Sequence, residues 1–339
     1  MLARLFTSPT SVLAQLRLRV AASHETSISI VLVILFAFFA IRAPNFLAMY
    51  ALSNVLTFAS VYGIIVCGVG LLMIAGEFDL SVGSVLALSG YVFLLSLRAD
   101  VPPLLAMLLA LAVCSLAGFV NGLLVVSTRI PSFIVTLGTG LAFRGIVRAL
   151  GQGRATSYAP QVKPILFEIL NGYLTPINQL SDTAGNFRTS SIWFICVVAL
   201  TAFLLMRTRF GNWVFAVGGN QDAARSQGIN IRRVKLTAFV LSGFLAGLAG
   251  VITFAQRSSM NTLLGEGLEL TMVAASVIGG VRLTGGSGTM VGAALGMLLL
   301  SLLNQGVVLM GVPNDVFQGL VGAVLIVVVL GNYRLRQEE

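Results

Sequence analysis

Two acidic residues, Glu77 and Asp79, are the charged side chains best placed to do chemistry, because they adjoin long apolar runs. They lie in the insert Gly76–Ser84, whose sequence is GEFDLSVGS. Ionisable groups at membrane depth are costly, and they usually line a pathway or form an ion pair. At a membrane interface the same acids would instead favour the N-terminus of a helix that starts near Ser81. The sequence leaves both interpretations open.

Arg144 is a third candidate, because it lies inside the apolar run Phe133–Leu150. A guanidinium in that place needs a carboxylate, carbonyl or water partner. We therefore expect Arg144 to face other helices rather than lipid. Arg148, one turn further on, can reach the outer interface through its aliphatic stem.

The polar stretch Gly218–Gly228, GGNQDAARSQG, separates two long apolar segments. Its border is basic and consists of Arg207, Arg209, Arg232, Arg233 and Lys235. In so apolar a chain, a helix-forming polar insert with a basic border predicts a cytoplasmic loop that contacts another protein.

The composition places these residues in a membrane protein. Apolar residues make up 57% of the 339 residues, charged residues make up 10%, and the mean hydropathy is +0.96. A soluble domain of this length needs far more charged surface. The net charge of +9 does not indicate a nucleic-acid partner, because the arginines stand at the ends of apolar runs. The single His24 and the three cysteines support neither a metal site nor a disulfide framework.

Apolar runs recur along the chain, and a helix needs about 20 residues to cross about 30 Å of hydrocarbon. We therefore predict an all-α polytopic membrane protein with about ten transmembrane helices. The spans Ile192–Met206 and Leu270–Gly280 are short, so we expect broken or partial helices there, and such interruptions tend to mark a translocation pathway. A boundary error of a few residues is the alternative. The predicted spans are Ile28–Ile41, Leu52–Ala75, Val82–Leu97, Leu104–Val126, Phe133–Leu150, Ile192–Met206, Leu236–Phe254, Leu270–Gly280, Met290–Met310 and Phe317–Leu330.

Charge asymmetry orients the chain. With the N-terminus inside, the basic residues concentrate in cytoplasmic loops, as the positive-inside rule requires. We predict a basic cytoplasmic tail over 1–27, a transmembrane domain over 28–331 and a cytoplasmic C-terminal tail over 332–339. Within that domain, residues 151–190 form a periplasmic loop, which we interpret as a docking surface, and residues 207–235 form the cytoplasmic loop with the polar insert.

The insert Gly76–Ser84 resembles a second one, GGVRLTGGS, over Gly279–Ser287. With one gap, Gly76 matches Gly280. This similarity suggests duplicated halves, as in many transporters, and chance similarity among glycine-rich turns is the alternative. A second similarity lies downstream, where Asn121 and Pro131 are followed by an apolar span, as Asn304 and Pro313 are.

In the same alignment Asp79 matches Arg282, and both lie near the predicted cytoplasmic side. We expect the two side chains to approach each other and stabilise one state of a gate. The candidate pathway or gate residues are Glu77, Asp79, Ser81, Arg144 and Arg282.

The sequence contains no phosphate-binding loop of the form GxxxxGK[ST], since its only lysines, Lys163 and Lys235, both follow valine. The chain cannot bind ATP in that way, and we predict that it is not an enzyme. If ATP drives the activity of this protein, a separate subunit must bind the ATP, and the polar insert would contact that subunit.

Four runs of this sequence carry a resemblance to a known family. They are GEFDLSVGSVLALSG, IPSFIVTLGTGLAFRG, FGNWVFAVGGNQDAARSQGINIRRVKLTAFVLSGFLAGLAGVI and VIGGVRLTGGSGTMVGAALG. They resemble the permease subunits of ribose/xylose/arabinose-type ABC importers. The resemblance implies a type II ABC importer-like permease with interrupted helices, which translocates a monosaccharide or related polyol-like ligand by alternating access.

The resemblance also implies partners and sites. The partners are a second permease subunit, identical or not, a cytoplasmic ATP-binding subunit, and a periplasmic substrate-binding protein at the bacterial inner membrane. ATP is then bound by the partner subunit, and this chain needs no cofactor. The family's coupling loop corresponds to Gly219, Asn220, Ala223, Ala224, Arg225 and Gly228, and its GxDLSVG signature to Gly76, Asp79, Leu80, Ser81, Val82 and Gly83.

Other ligands and mechanisms stay open. Permeases for branched-chain amino acids have a similar architecture, and a furanosyl signalling molecule is another candidate ligand. An ion-coupled secondary carrier would need buried ionisable residues on its pathway, for which Glu77, Asp79 and Arg144 are the candidates. A scaffold membrane protein is a further alternative.

An impermeant thiol reagent added from outside should label a cysteine placed at Ser181, but not one placed at Ser226. The reason is that the segment Arg207–Lys235 gathers six basic residues against the single acid Asp222, and such density rarely crosses to the outer side. Labelling of intact cells checks this, with the unmodified protein as the control for the native cysteines. Outside labelling at Ser226 would invert the topology.

Overall fold

The structure, a computed structural model, describes residues 24–180, 185–313 and 316–326. It consists almost entirely of helices. They are α1 His24–Arg42, α2 Met49–Ile74, α3 Val82–Arg98, α4 Pro103–Thr128, α5 Ser132–Gly151, α6 Ile165–Asn171, α7 Thr175–Asn178, α8 Ser190–Arg207, α9 Arg209–Gly219, α10 Gln221–Ser226, α11 Ile231–Arg257, α12 Leu268–Ile278, α13 Met290–Leu309 and α14 Val316–Ile326, with strands β1 Thr156–Ser157 and β2 Ser259–Met260.

Ten of the described helices are apolar and coincide with the ten predicted spans. Seven are long enough to cross a membrane, and α3, α12 and α14 are shorter. The prediction of an all-α polytopic membrane protein is therefore confirmed. The end of the predicted span Phe317–Leu330 lies outside the described residues, as do residues 1–23 of the predicted N-terminal tail and the whole C-terminal tail 332–339.

Residues at the helix ends explain where several helices begin. Pro102 and Pro131 immediately precede α4 and α5, and proline fits a helix start, where the first amides have no intrahelical partner. Asn230 caps α11, because its side chain accepts a hydrogen bond from the N–H of Arg233 at 3.0 Å. Thr289 caps α13 in the same way.

Helices α2 and α11 form the centre of the bundle. In each, 83% of the residues in an apolar stretch of 18 are buried, against 33% in α4 and 22% in α5, which face outward. α11 packs against α2, α3 and α4. Gly243 of α11 lies so close to the carbonyl oxygen of Cys114 on α4 that a side chain there would overlap it. Glycine thus permits the close helix packing that membrane bundles depend on.

Two non-helical segments lie inside the bundle. Residues 77–81 lead from α2 to α3, residues 261–267 lead to α12, and Gly83 contacts Gly265 where the two regions meet. α12 has 11 residues, about 16 Å at about 1.5 Å per residue, so it covers about half of the hydrocarbon thickness. The partial helix expected at Leu270–Gly280 is confirmed.

Helix α8 differs from the expectation. It is continuous over 18 residues from Ser190 to Arg207 and is long enough to cross a membrane. The interruption expected at Ile192–Met206 is therefore wrong. The predicted span is shorter than the helix, because the polar residues at the ends of the helix, Ser190, Ser191 and Arg207, are also helical.

The ends of α2 and α12 have the same backbone geometry. Gly76 and Gly280 both follow the last turn with positive φ angles of 84° and 90°, which is the common glycine-terminated helix end. The match of Gly76 with Gly280 is therefore structural as well as sequential. The corresponding hydrogen bonds join Glu77 N to Leu72 O and Val281 N to Ser276 O, at 3.1 and 3.0 Å.

The second similarity, which pairs Asn121 with Asn304, does not support the proposed duplication. If α2 corresponds to α12, then α3 corresponds to α13. Asn121 lies in α4, whereas Asn304 lies in α13, so these two residues occupy non-equivalent helices.

The segment between α5 and α8 packs onto one end of the bundle. Its helix α6 places Phe167 against the rings of Phe93 and Phe254, and Asn171 Nδ2 donates to the Ile252 carbonyl at 3.2 Å. Ser181, within this segment, lies outside the described residues. We call this end of the bundle the loop side, and the opposite end, which carries α9 and α10, the basic side.

Candidate functional site

A polar cavity of about 250 Å³ lies between α2, α11 and α13, in the loop-side half of the bundle. A second cavity, of about 540 Å³, adjoins it and shares Phe58, Tyr62 and Asn304 with it. The polar residues that line the first cavity are Asn54 and Thr57 of α2, Asn186 of the loop-side segment, Thr253, Gln256 and Arg257 of α11, and Ser301, Asn304 and Gln305 of α13.

The first cavity presents amide and hydroxyl groups beside two aromatic rings. Phe58 and Tyr62 pack edge to face, with ring centroids 4.5 Å apart. Amides and hydroxyls can both donate and accept hydrogen bonds, so they match the hydroxyl groups of a polyhydroxylated ligand. Among the residues that the structure describes, Arg257 is the one charged residue on the wall of this cavity. The wall is therefore suited to a neutral polar ligand.

The cavity ends before it reaches the basic side. Beyond Tyr62, every residue of α2 from Gly63 to Ile74 is buried. On α11, the residues from Leu245 to Ile252, which lie between the cavity and the basic side, are buried as well. The bundle is thus packed between the cavity and the basic side, and a ligand cannot pass through without rearrangement of these helices.

Arg144 lies beside the non-helical segment that leads to α12. Its side chain is buried, and Nη1 donates to the carbonyls of Thr262 and Leu264 at 3.2 and 2.6 Å. The expectation that Arg144 faces the bundle and finds a partner there is confirmed. The guanidinium supplies hydrogen bonds to peptide oxygens that lipid could not satisfy.

Asp79 and Ser81 belong to a buried hydrogen-bonded cluster. Asp79 Oδ1 accepts from the N–H and the hydroxyl of Ser81, at 2.9 and 2.6 Å, and Oδ2 accepts from the hydroxyl of Ser242 at 2.9 Å. Asn121 Nδ2 donates to Ser81 Oγ at 2.8 Å. The cluster therefore fixes the start of α3 to α4 and α11, as a carboxylate at a helix N-terminus can.

The expected approach of Asp79 and Arg282 is wrong for this structure. Asp79 is 1% exposed, and both of its carboxylate oxygens accept hydrogen bonds from serines. Arg282 is exposed on the basic side, in a turn closed by the bond from its N–H to the Ser287 carbonyl. The first insert turns its acid into the bundle, whereas the second insert turns its arginine outward.

Glu77 forms an ion pair with Lys235, in the first turns of α11. Both side chains are nearly buried, with 10% and 11% of their surfaces exposed. The pair joins the segment after α2 to the segment after the polar insert. Sequence reasoning missed it, because no spacing pattern connects residues so far apart in the chain.

The polar insert forms the short helix α10. Asn220 caps it by accepting from the Ala223 N–H at 3.0 Å, and Gly228 follows its end with a φ of 78°. Ala224 is buried, and the other residues of α10 are exposed. Together with the exposed Gly219, the insert offers a polar surface helix with a single small residue turned inward.

Both ends of α10 are attached to the basic-side end of α2. Before α10, Gly218 packs directly on the carbonyl of Ile74, and Gly286 N donates to the same carbonyl at 2.9 Å. After α10, Lys235 binds Glu77. Because α2 also lines the polar cavity, α10 is attached to a helix that forms part of the cavity wall.

The comparisons with known proteins agree with this architecture. The family described as "Branched-chain amino acid transport system / permease component" matches residues 51–329. The chain belongs to this permease family. The ribose import permease protein RbsC of Escherichia coli (strain K12) is 35% identical to the permease over 305 residues, which cover 88% of this chain and 89% of the relative.

Two further relatives align with nearly the whole permease. The probable ABC transporter permease protein YphD of Escherichia coli (strain K12) is 36% identical, with 93% of this chain and 91% of the relative covered. The autoinducer 2 import system permease protein LsrC of Photorhabdus luminescens is 30% identical, with the same coverage. The resemblance found from the sequence motifs is confirmed, and the permease is a multi-pass inner-membrane transport protein.

None of the five candidate gate residues of the permease lines either loop-side cavity. The residues that line the first cavity carry a signal that could have found them, namely polar side chains three residues apart within otherwise apolar helices. Such pairs share one helix face. They are Asn54 and Thr57 on α2, Thr253 and Gln256 on α11, and Ser301 and Asn304 on α13.

Substitution of either partner of the nearly buried pair should destabilise the permease. Glu77→Gln or Lys235→Met should each lower the free energy of unfolding by about 3–5 kcal/mol, because the remaining charge is stranded. The double variant should cost less than the sum. Unfolding in detergent measures all three. The exposed pair of Asp222 and Arg225, 3.5 Å apart, is the control, and Asp222→Asn should cost about 0–1 kcal/mol. Equal losses of unfolding free energy at the two pairs would contradict the conclusion that the Glu77–Lys235 pair attaches α11 to the end of α2.

Proposed function

We propose that this permease is the membrane-spanning subunit of an ATP-driven importer, which carries a monosaccharide or a related polyol-like ligand into the cytoplasm by alternating access. The observation that carries the proposal is the cavity lined by amides and hydroxyls, set above a packed core. The 35% identity to a ribose import permease supports the same ligand class.

The chemistry of the cavity favours a sugar over a branched-chain amino acid. An amino acid carries a cation and an anion, and each needs an opposite charge when it leaves water. The first cavity offers only Arg257. Glu266 lines the second cavity but lies 3.7 Å from Arg148, which already partners it. A neutral ligand needs no such charges.

The cavity is proposed to receive its ligand from a periplasmic substrate-binding protein at the loop side. Three apolar side chains on the loop side are exposed. They are Val162 before α6, Ile165 at the start of α6 and Leu180 after α7, with 82%, 79% and 74% of their surfaces exposed. Exposed apolar groups of this kind are typical of protein interaction surfaces. Strong affinity then resides in the binding protein, because a tightly binding permease cavity would slow release.

The energy is proposed to enter through α10. A cytoplasmic ATP-binding subunit would contact this helix, with Gly219, Asn220, Ala223, Ala224, Arg225 and Gly228 forming the coupling site. A second permease subunit completes the pathway. Both termini are then cytoplasmic. The attachments of α10 to the end of α2 supply the physical route by which closure of the ATP-binding subunits would move the cavity wall.

A furanosyl signalling molecule is the second candidate ligand, because the chain is 30% identical to an autoinducer 2 import permease. The same amides and hydroxyls suit it. An ion-coupled carrier receives less support, since Asp79 is bonded within the bundle and lies off the cavities.

Disturbing α10 should uncouple ATP hydrolysis from transport. Arg225→Glu, or a two-residue insertion at Gly228, should reduce ligand uptake at least about tenfold while the permease stays folded, because α10 is exposed and its attachments remain. Proteoliposomes with the partner subunits allow both rates to be measured. Arg209→Glu, the same charge reversal on α9, is the control. Unchanged uptake in the α10 variants would refute the coupling site.

Removing one amide from the cavity should slow the transport of a hydroxylated ligand. Gln305→Leu should lower ribose uptake by a factor of about two to ten, the value of one or two hydrogen bonds. Radiolabelled ribose, autoinducer 2 and leucine distinguish the three ligand classes in the same vesicles. Asn212→Leu, on the exposed surface of α9 and outside both cavities, is the control. Uptake of leucine alone would overturn the sugar assignment.

A further inference from the structure

A cavity on the basic side takes no part in the proposed pathway. It has a volume of about 420 Å³ and lies between the end of α4 and the start of α11, within the range of about 300–1,000 Å³ that small-molecule sites occupy. The basic residues that line it are Arg129, Arg225, Arg232 and Lys235, and Glu77 is the one acidic residue that the described part of the chain places in its wall.

The charges in this cavity do not balance. Lys235 pairs with Glu77, and Arg225 lies near Asp222. Arg129 and Arg232 form no ion pair with any residue that the structure describes. Two exposed guanidinium groups therefore remain beside the cavity, available to an anion. Guanidinium forms strong, often bidentate hydrogen bonds with phosphate oxygens.

The opposite wall of the cavity is apolar. Val125, Val126, Ile130 and Pro131 form it. The apolar surface continues along the outward faces of α4 and α5, where Leu123, Leu124, Phe133 and Ile134 are 38–50% exposed. A ligand that fits both walls carries a phosphate group and apolar chains side by side.

We propose that this cavity binds the phosphate headgroup of an anionic phospholipid, with its acyl chains lying along α4 and α5. Basic pockets at the cytoplasmic ends of membrane helices are suited to such headgroups. The acidic surface of a soluble subunit would meet the arginines but leave the apolar wall unmatched. Because Arg225 belongs to α10, the lipid contacts the coupling helix from the membrane side. The inference is independent of the transported ligand.

Binding of fluorescent phosphatidylglycerol to the purified permease in detergent micelles tests the proposal. Each basic side chain near an anionic headgroup strengthens binding about fivefold, so Arg129→Gln with Arg232→Gln should weaken it roughly 25-fold. Arg129→Lys with Arg232→Lys should retain most of the binding. The matched control is Arg207→Gln with Arg209→Gln, which removes the same charge from the basic side outside the cavity and should change binding less than twofold.

Three further arms identify the source of the phosphate chemistry. Phosphatidylcholine with the same chains should bind at least about tenfold more weakly, and inorganic phosphate should not displace the lipid at millimolar concentrations. Displacement by inorganic phosphate would assign the cavity to a free anion and overturn the proposal. Displacement by the purified ATP-binding subunit would assign the cavity to a protein interface. An equal loss of lipid binding in the control variant would show that general surface charge causes the effect. This result would also overturn the proposed site.

Discussion

Peptide groups that leave regular helices inside a membrane need hydrogen-bond partners within the protein, because hydrocarbon offers none. In this permease, α5 supplies them to both non-helical segments. Ser132 and Thr136 accept from the N–H groups of Phe78 and Leu80 at 2.9 and 3.0 Å, and Arg144 donates to the second non-helical segment. These side chains recur at multiples of four residues and so follow one face of the helix. A helix that mostly faces outward thereby stabilises the two interruptions.

The interruptions and the central helix together shape the site. Residues 263–268, at the second interruption, form part of the wall of the second cavity. Helix α2 is about 39 Å long at about 1.5 Å per residue. It lines both loop-side cavities with residues of its first 14 positions, and contacts with Glu77, Gly218 and Gly286 hold its opposite end. A buried helix of this length transmits displacement because its packed neighbours allow few alternative positions.

The sequence predicted the features that depend on local composition. Ten spans, the partial helix before Gly280, the surface helix that follows Asn220 and the inward position of Arg144 all follow from apolar runs, glycine positions and the cost of an isolated charge in lipid. Contacts between distant segments could not be predicted in this way. The partner of Glu77 and the true surroundings of Asp79 depend on how helices far apart in sequence pack, and no pattern along one chain contains that information.

The placement of charge separates the structural cluster around Asp79 from the proposed transport cavity. The carboxyl group of Asp79 accepts three hydrogen bonds from two serines and forms no ion pair with any residue that the structure describes. Releasing it would leave a buried polar group with unmet acceptors. A group held so firmly serves better to fix α3 against α11 than to carry an ion. The loop-side cavity instead uses amides and hydroxyls, whose bonds to a neutral ligand are individually weak and readily exchanged with water. A site of that kind cannot drive accumulation by itself. In the proposed mechanism the work therefore enters elsewhere, and α10 is the exposed element attached to the end of α2, the helix that lines the cavity.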